Sequence, residues 1–171
     1  MERSLAWAAA IAAATVGGSL IAACLMPFVA VSAMAASTLP RREGIATVII
    51  VWIANQALGF TILNYPLDVA TLGWGVAIGV AALVAYAVVR AIVERSGALL
   101  PLLVASALAF VAYELVLYSY GCAGGGTGAF TQAIVLLLAR NEALWLACLL
   151  AVREAVRSFV PAWSPEPHSA A

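Results

Sequence analysis

Five long apolar runs follow one another along the chain, and the arginines are sorted among the connections that join them. The runs cover roughly residues 5–36, 45–63, 72–93, 98–120 and 129–152. A helix needs about 20 apolar residues to cross the hydrocarbon core of a bilayer. Arg41 and Arg42 follow the first run, Arg90 and Arg95 the third, and Arg153 and Arg157 the fifth. The connections at 64–71 and 121–128 contain no Lys or Arg. Cytoplasmic loops are enriched in these residues. With five spans, six arginines fall on one side and only Arg3 on the other. The expected fold is therefore an all-α polytopic membrane bundle of five transmembrane helices over residues 1–160, with the N-terminus outside and the C-terminus cytoplasmic. The Pro-, Ser- and Ala-rich tail at 161–171 is expected to be disordered in the cytoplasm.

Composition supports a lipid-embedded chain. Hydrophobic residues make up 65% and charged residues 9%, whereas soluble domains carry about 25% charged residues. A net charge of zero leaves no basic field for nucleic acid. Every strong positive charge is arginine and lysine is absent, which reads as the codon bias of a GC-rich, bacterial genome. The expected location is thus the bacterial inner membrane.

The first run also resembles a signal peptide, with a charged start and small residues near Ser32–Ala36. Its length favours retention, and cleavage would leave four spans with the wrong charge parity. Pro27 implies a kink or an interfacial end within it. Gly75 and Gly79 have G-x-x-x-G spacing, and Ala77, Ala81 and Ala85 form a small-residue stripe beside them. Such residues let helices approach closely in lipid, within the chain or in a homo-oligomer.

Polar residues inside the spans are the main functional signal. A charge at mid-bilayer costs roughly 2.5–3.5 kcal/mol on insertion scales. Asn55 and Gln56 fall in the second run, Glu114 in the fourth, and Arg140, Asn141 and Glu142 in the fifth. Side-chain lean toward each helix N-terminus favours an ion pair between Glu114 and Arg140. Arg140 and Glu142 lie about 200° apart around a helix and cannot face the same neighbour. Glu114, Arg140 and Glu142 together carry one excess negative charge, which would take a proton or recruit a cation. These six residues are the candidate ligand or ion site. Asn64, Tyr65, Asp68 and Tyr118 form a second candidate region on the outer face, where Tyr and Trp are also ordinary interfacial residues.

Absences narrow the function. The single histidine, His168, lies in the tail, and Asp68 is the only aspartate. A haem site, a Ser–His dyad, a zinc protease site and a paired aspartyl site are therefore not expected. Cys24, Cys122 and Cys148 match no metal motif. The flexible glycine-rich loop at 121–128 lacks the Lys and Ser/Thr of a phosphate-binding loop. No cofactor is expected, and an enzyme only if Glu114 and Glu142 face one substrate cavity. The functional expectation is a small transporter or transport subunit that binds an ion, proton or polar solute at the mid-membrane layer. A chain this short would work as an oligomer or with a partner. The rival expectation is an accessory subunit of a larger membrane complex with no ligand of its own.

Overall fold

The structure, a computed structural model, describes residues 6–12, 26–93 and 99–159. All regular structure among these residues is helical. Helix α1 covers residues 6–12. It is followed by α2 (Phe28–Thr38), α3 (Arg41–Thr61), α4 (Val69–Val93), α5 (Leu99–Gly124) and α6 (Gln132–Phe159). Helices α3 to α6 contain four segments long and apolar enough to cross a membrane. The tail, Cys24 and residues 13–25 of the first run lie outside the described residues.

The first apolar run is not one continuous helix. Met26 and Pro27 are non-helical, and α2 begins at Phe28. Proline has a fixed φ and no N–H, so it fits a helix start and not a helix interior. Leu39 has an extended backbone, with ψ of 150°, because the following Pro40 disfavours the helical region there. Two prolines therefore delimit an eleven-residue helix about 16 Å long, half of a core about 30 Å thick.

Helix α2 sits at the centre of the molecule. Ten of its eleven residues are buried, Ser37 being the exception. It packs against α3, α4, α5 and α6, while α4 lies between α3 and α5. Its Ala and Ser residues keep it thin, which permits four neighbours at close range. Ser32 Oγ donates to the Ala82 carbonyl at 3.1 Å. The G-x-x-x-G face of α4 accepts side chains of α3. A Cβ on Gly79 would lie 2.8 Å from the Trp52 ring, and Trp52 Nε1 donates to the Gly75 carbonyl at 2.8 Å. This glycine pair serves packing within the chain.

Polar contacts also order the ends of the bundle. Trp7 Nε1 donates to Thr38 Oγ1 at 3.0 Å, so residue 7 lies beside the end of α2 that leads into Arg41. A single crossing from residue 5 to 36 would separate these groups by about 30 Å. Of the five expected spans, four have a helix long and apolar enough to cross among the described residues, and α2, the later part of the first run, is shorter. Met26 and Pro27 interrupt that run, and Trp7 and Thr38, from its two described parts, lie beside each other. Arg90 and Tyr86 of α4 reach the same end, where Tyr86 Oη donates to the Arg41 carbonyl at 3.2 Å.

The expected run boundaries shift outward in several places. Helix α3 begins at Arg41, and α5 continues to Gly124 through half of the expected glycine loop. Only then do Gly125 and Gly126 adopt positive φ of 84° and 113°, a conformation open to glycine without steric cost.

Candidate functional site

The N-terminus of α2 ends inside the bundle, about midway along the long helices. Glu142 lies ten residues into α6 and Glu114 ten residues before the end of α5, each about 15 Å from its helix terminus. The first N–H groups of a helix have no partner within it. In α2 all four are satisfied. Phe28 N donates to the Met26 carbonyl at 2.9 Å and Val31 N to the Pro27 carbonyl at 3.0 Å. Val29 N donates to Glu142 Oε1 at 3.3 Å, and Ala30 N to Glu142 Oε2 at 2.8 Å. The negative carboxylate faces the positive end of the helix dipole. At the other end, Arg90 Nη1 donates to the Ala36 and Leu39 carbonyls at 3.1 and 2.9 Å. Helix α2 is thus held by an acid at one terminus and a base at the other, from two different helices.

A cavity of about 160 Å³ adjoins this terminus. Glu114, Glu142 and Asn55 line it, together with the rings of Phe28, Trp74 and Tyr113. Among the described residues, no basic side chain lines it. Phe28 and Tyr113 stack at 6.4 Å between centroids. Glu114 Oε1 is buried and has no hydrogen-bond partner. At ~30 Å³ per water, the space holds roughly five waters or one small polar solute. Among the described residues no group of three or more His, Cys, Asp or Glu is placed to hold a metal ion.

The expected polar layer is therefore split. Asn55, Glu114 and Glu142 come together. Gln56 faces a neighbouring cavity of about 110 Å³, which Asn55 and Trp74 also line. Asn141 is partly buried and lines neither cavity. Arg140 is exposed. The expected ion pair between Glu114 and Arg140 does not form. The helical phase of α6 turns Glu142, Leu146 and Leu149 inward, and a residue about 200° from Glu142 must then point away.

The outer-face candidates have local roles. Asn64 adopts a left-handed φ of 53° and donates from Nδ2 to the Ile62 carbonyl at 3.2 Å. Tyr65 covers Gly59, where a Cβ would meet its ring at 3.0 Å. Asp68 accepts from Thr71 N at 2.7 Å and so caps α4. That backbone hydrogen bond holds the Asp68 carboxyl below its ordinary value of 3.8. Tyr118 packs edge-on against Phe130 at 5.3 Å. None of them reaches the Glu114 cavity except through the Gln56 cavity, which Tyr65 borders.

Sequence reasoning did not identify the α2 terminus as a partner for Glu142, nor the aromatic walls. The available signal was Met26-Pro27 interrupting an apolar run. No known protein family, curated protein or solved structure matches this chain.

Proposed function

We propose that the protein binds a small cation within the membrane, as a transporter or transport subunit. The observation that carries this reading is the pairing of Glu114 and Glu142 on one aromatic-walled cavity with no basic side chain among the described residues lining it. Glu142 is committed to the α2 backbone. Glu114, with one buried oxygen unpartnered, is the group that would take a proton or meet the cation. Aromatic faces add attraction for an ammonium group. Interrupted helices whose half-helix ends meet a polar site at mid-membrane are a recurrent design for solute and ion binding. Arg140, exposed on the far side of α6, has no part in this site.

The same reading carries a revised topology. Four spans cross the membrane, and α1 and α2 enter from the cytoplasmic side. Arg41, Arg42, Arg90 and Arg153 mark that side under the positive-inside rule, with residue 7 beside them through Thr38. A bacterial inner membrane remains the proposed location.

Thermal shift on purified protein tests the binding claim, with sodium, potassium, ammonium and methylammonium chlorides compared at one ionic strength. At least one cation is expected to stabilise the wild type and not Glu114→Gln. No response to any cation, or the same response in both proteins, removes the reading.

A second reading, an accessory subunit of a larger complex, is favoured by one observation. Arg140 is exposed eight residues into α6, the least buried of the four span-length helices, where lipid is a costly neighbour for a guanidinium. A loss of complex size in native gels of membranes carrying Arg140→Gln would support it. An unchanged size would remove it.

A further inference from the structure

Consecutive helices α5 and α6 barely touch along their length. A crevice of about 390 Å³ lies between them, within the ordinary ~300–1,000 Å³ range of ligand pockets. Leu103, Phe110 and Val111 form one wall, Ala139 and Leu146 the other, and Val29 of α2 lies among the residues lining it. Leu103 and Val111 are 45% and 54% exposed, so the crevice opens sideways, where lipid would lie. Glu142 and Phe110 line both this crevice and the Glu114 cavity. An apolar slot and an acidic, aromatic pocket thus share a wall, and among the described residues neither has a basic residue in its lining.

We propose that the ligand is a lipophilic amine, with its ammonium group beside Glu114 in the polar cavity and its hydrocarbon part in the α5–α6 crevice. The inference rests on the cation-binding reading above and adds the substrate class and a lateral route of entry. Charge complementarity selects the head group. A fatty acid or phosphate ester would bring its negative charge against Glu142 and Glu114, and a neutral alcohol would leave Glu114 without a counter-charge. The crevice selects the tail. Apolar length gains affinity there as it leaves water, by about fourfold per methylene. A lipid chain filling the slot by itself is the competing occupant.

The test is a series of n-alkylammonium chlorides from methyl to hexyl, titrated into the purified protein by thermal shift, with the matching n-alcohols alongside. Apparent affinity for the ammonium series is expected to rise about fourfold per added carbon and to be lost in Glu114→Gln. Ala143→Phe fills the crevice from α6 and Ala107→Phe from α5, both positions lining it. In either variant methylammonium should still bind while the gain with chain length disappears. If methylammonium and hexylammonium bind the wild type alike, the tail site is wrong and the cation reading stands. If no ammonium binds, the lipophilic-amine proposal is overturned, and the cation reading falls with it only if sodium and potassium also give no response. If the alcohols follow the same chain-length trend and Glu114→Gln changes nothing, the crevice holds lipid tails only, and the proposal is overturned.

Discussion

Helices α2 and α6 show two ways for a helix to sit in this bundle. Helix α2 has eleven residues, ten of them buried, and its N-terminus is at the molecule's centre. Helix α6 has 28 residues, and only 11% of its most apolar stretch is buried. The contrast follows from where each helix ends. The α6 termini lie at the two ends of the bundle, where water can satisfy them. The N-terminus of α2 stops inside the bundle, about midway along the long helices, where unpaired backbone groups are costly. It therefore recruits Glu142, as its C-terminus recruits Arg90. Glu142 and Arg140, two residues apart on α6, have opposite fates. The first is used by α2, while the second faces outward.

The largest expected effect comes from removing the acid at that interior terminus. Glu142→Ala strands two amide donors, at about 1–3 kcal/mol each. Thermal unfolding in detergent should drop by more than for any other single change discussed here. Glu142→Gln, which keeps one acceptor, should recover part of the loss. A stability equal to wild type would mean that the α2 terminus finds another partner and that the contrast with α6 is wrong.

Arg90→Ala should follow, at about 1–3 kcal/mol for the carbonyls of Ala36 and Leu39. Arg90→Lys should restore some of it. A wild-type melting curve for Arg90→Ala would show that only the N-terminal end of α2 needs a side chain.

Asp68 carries the capping role to a helix end in water. Its carboxyl is held below its ordinary value of 3.8, first by the Thr71 N–H. A depressed value means that the contribution is present above the ordinary value and is lost as pH falls through the folded one. The melting temperature should therefore decline on acidification below about pH 4. The decline should be shallower in Asp68→Asn, and at neutral pH the variant should lose less than Arg90→Ala. An acid response that is the same in both proteins would show that this cap contributes nothing.

Arg140→Gln should change stability least, within about 0.5 kcal/mol in detergent. A loss as large as that of Arg90→Ala would mean that the guanidinium is engaged with the bundle and does not face outward.

Much of the fold was legible. Alternating apolar runs gave the helices, and the arginines at 41, 42, 90 and 153 marked one end. The break in the first run was harder to read, because counting apolar length passes over Pro27. An apolar segment of more than 20 residues reads as a crossing whether or not it is broken halfway. The candidate site was legible in part. Asn55, Glu114 and Glu142 do converge. Arg140 does not, because helical periodicity fixes the angle between residues 140 and 142 and leaves open which of them faces the core.

By its own pattern, then, the sequence determined helicity, the long hydrophobic spans, and the end of the bundle that gathers positive charge. These follow from local composition and from the need to satisfy backbone groups in lipid. Only the tertiary structure decided that α2 stops inside the bundle, that Glu142 meets its amides, and that Glu114 shares the cavity. Backbone donors at a helix end are present in every sequence and visible in none. Which side chain reaches them depends on how the helices pack around one another.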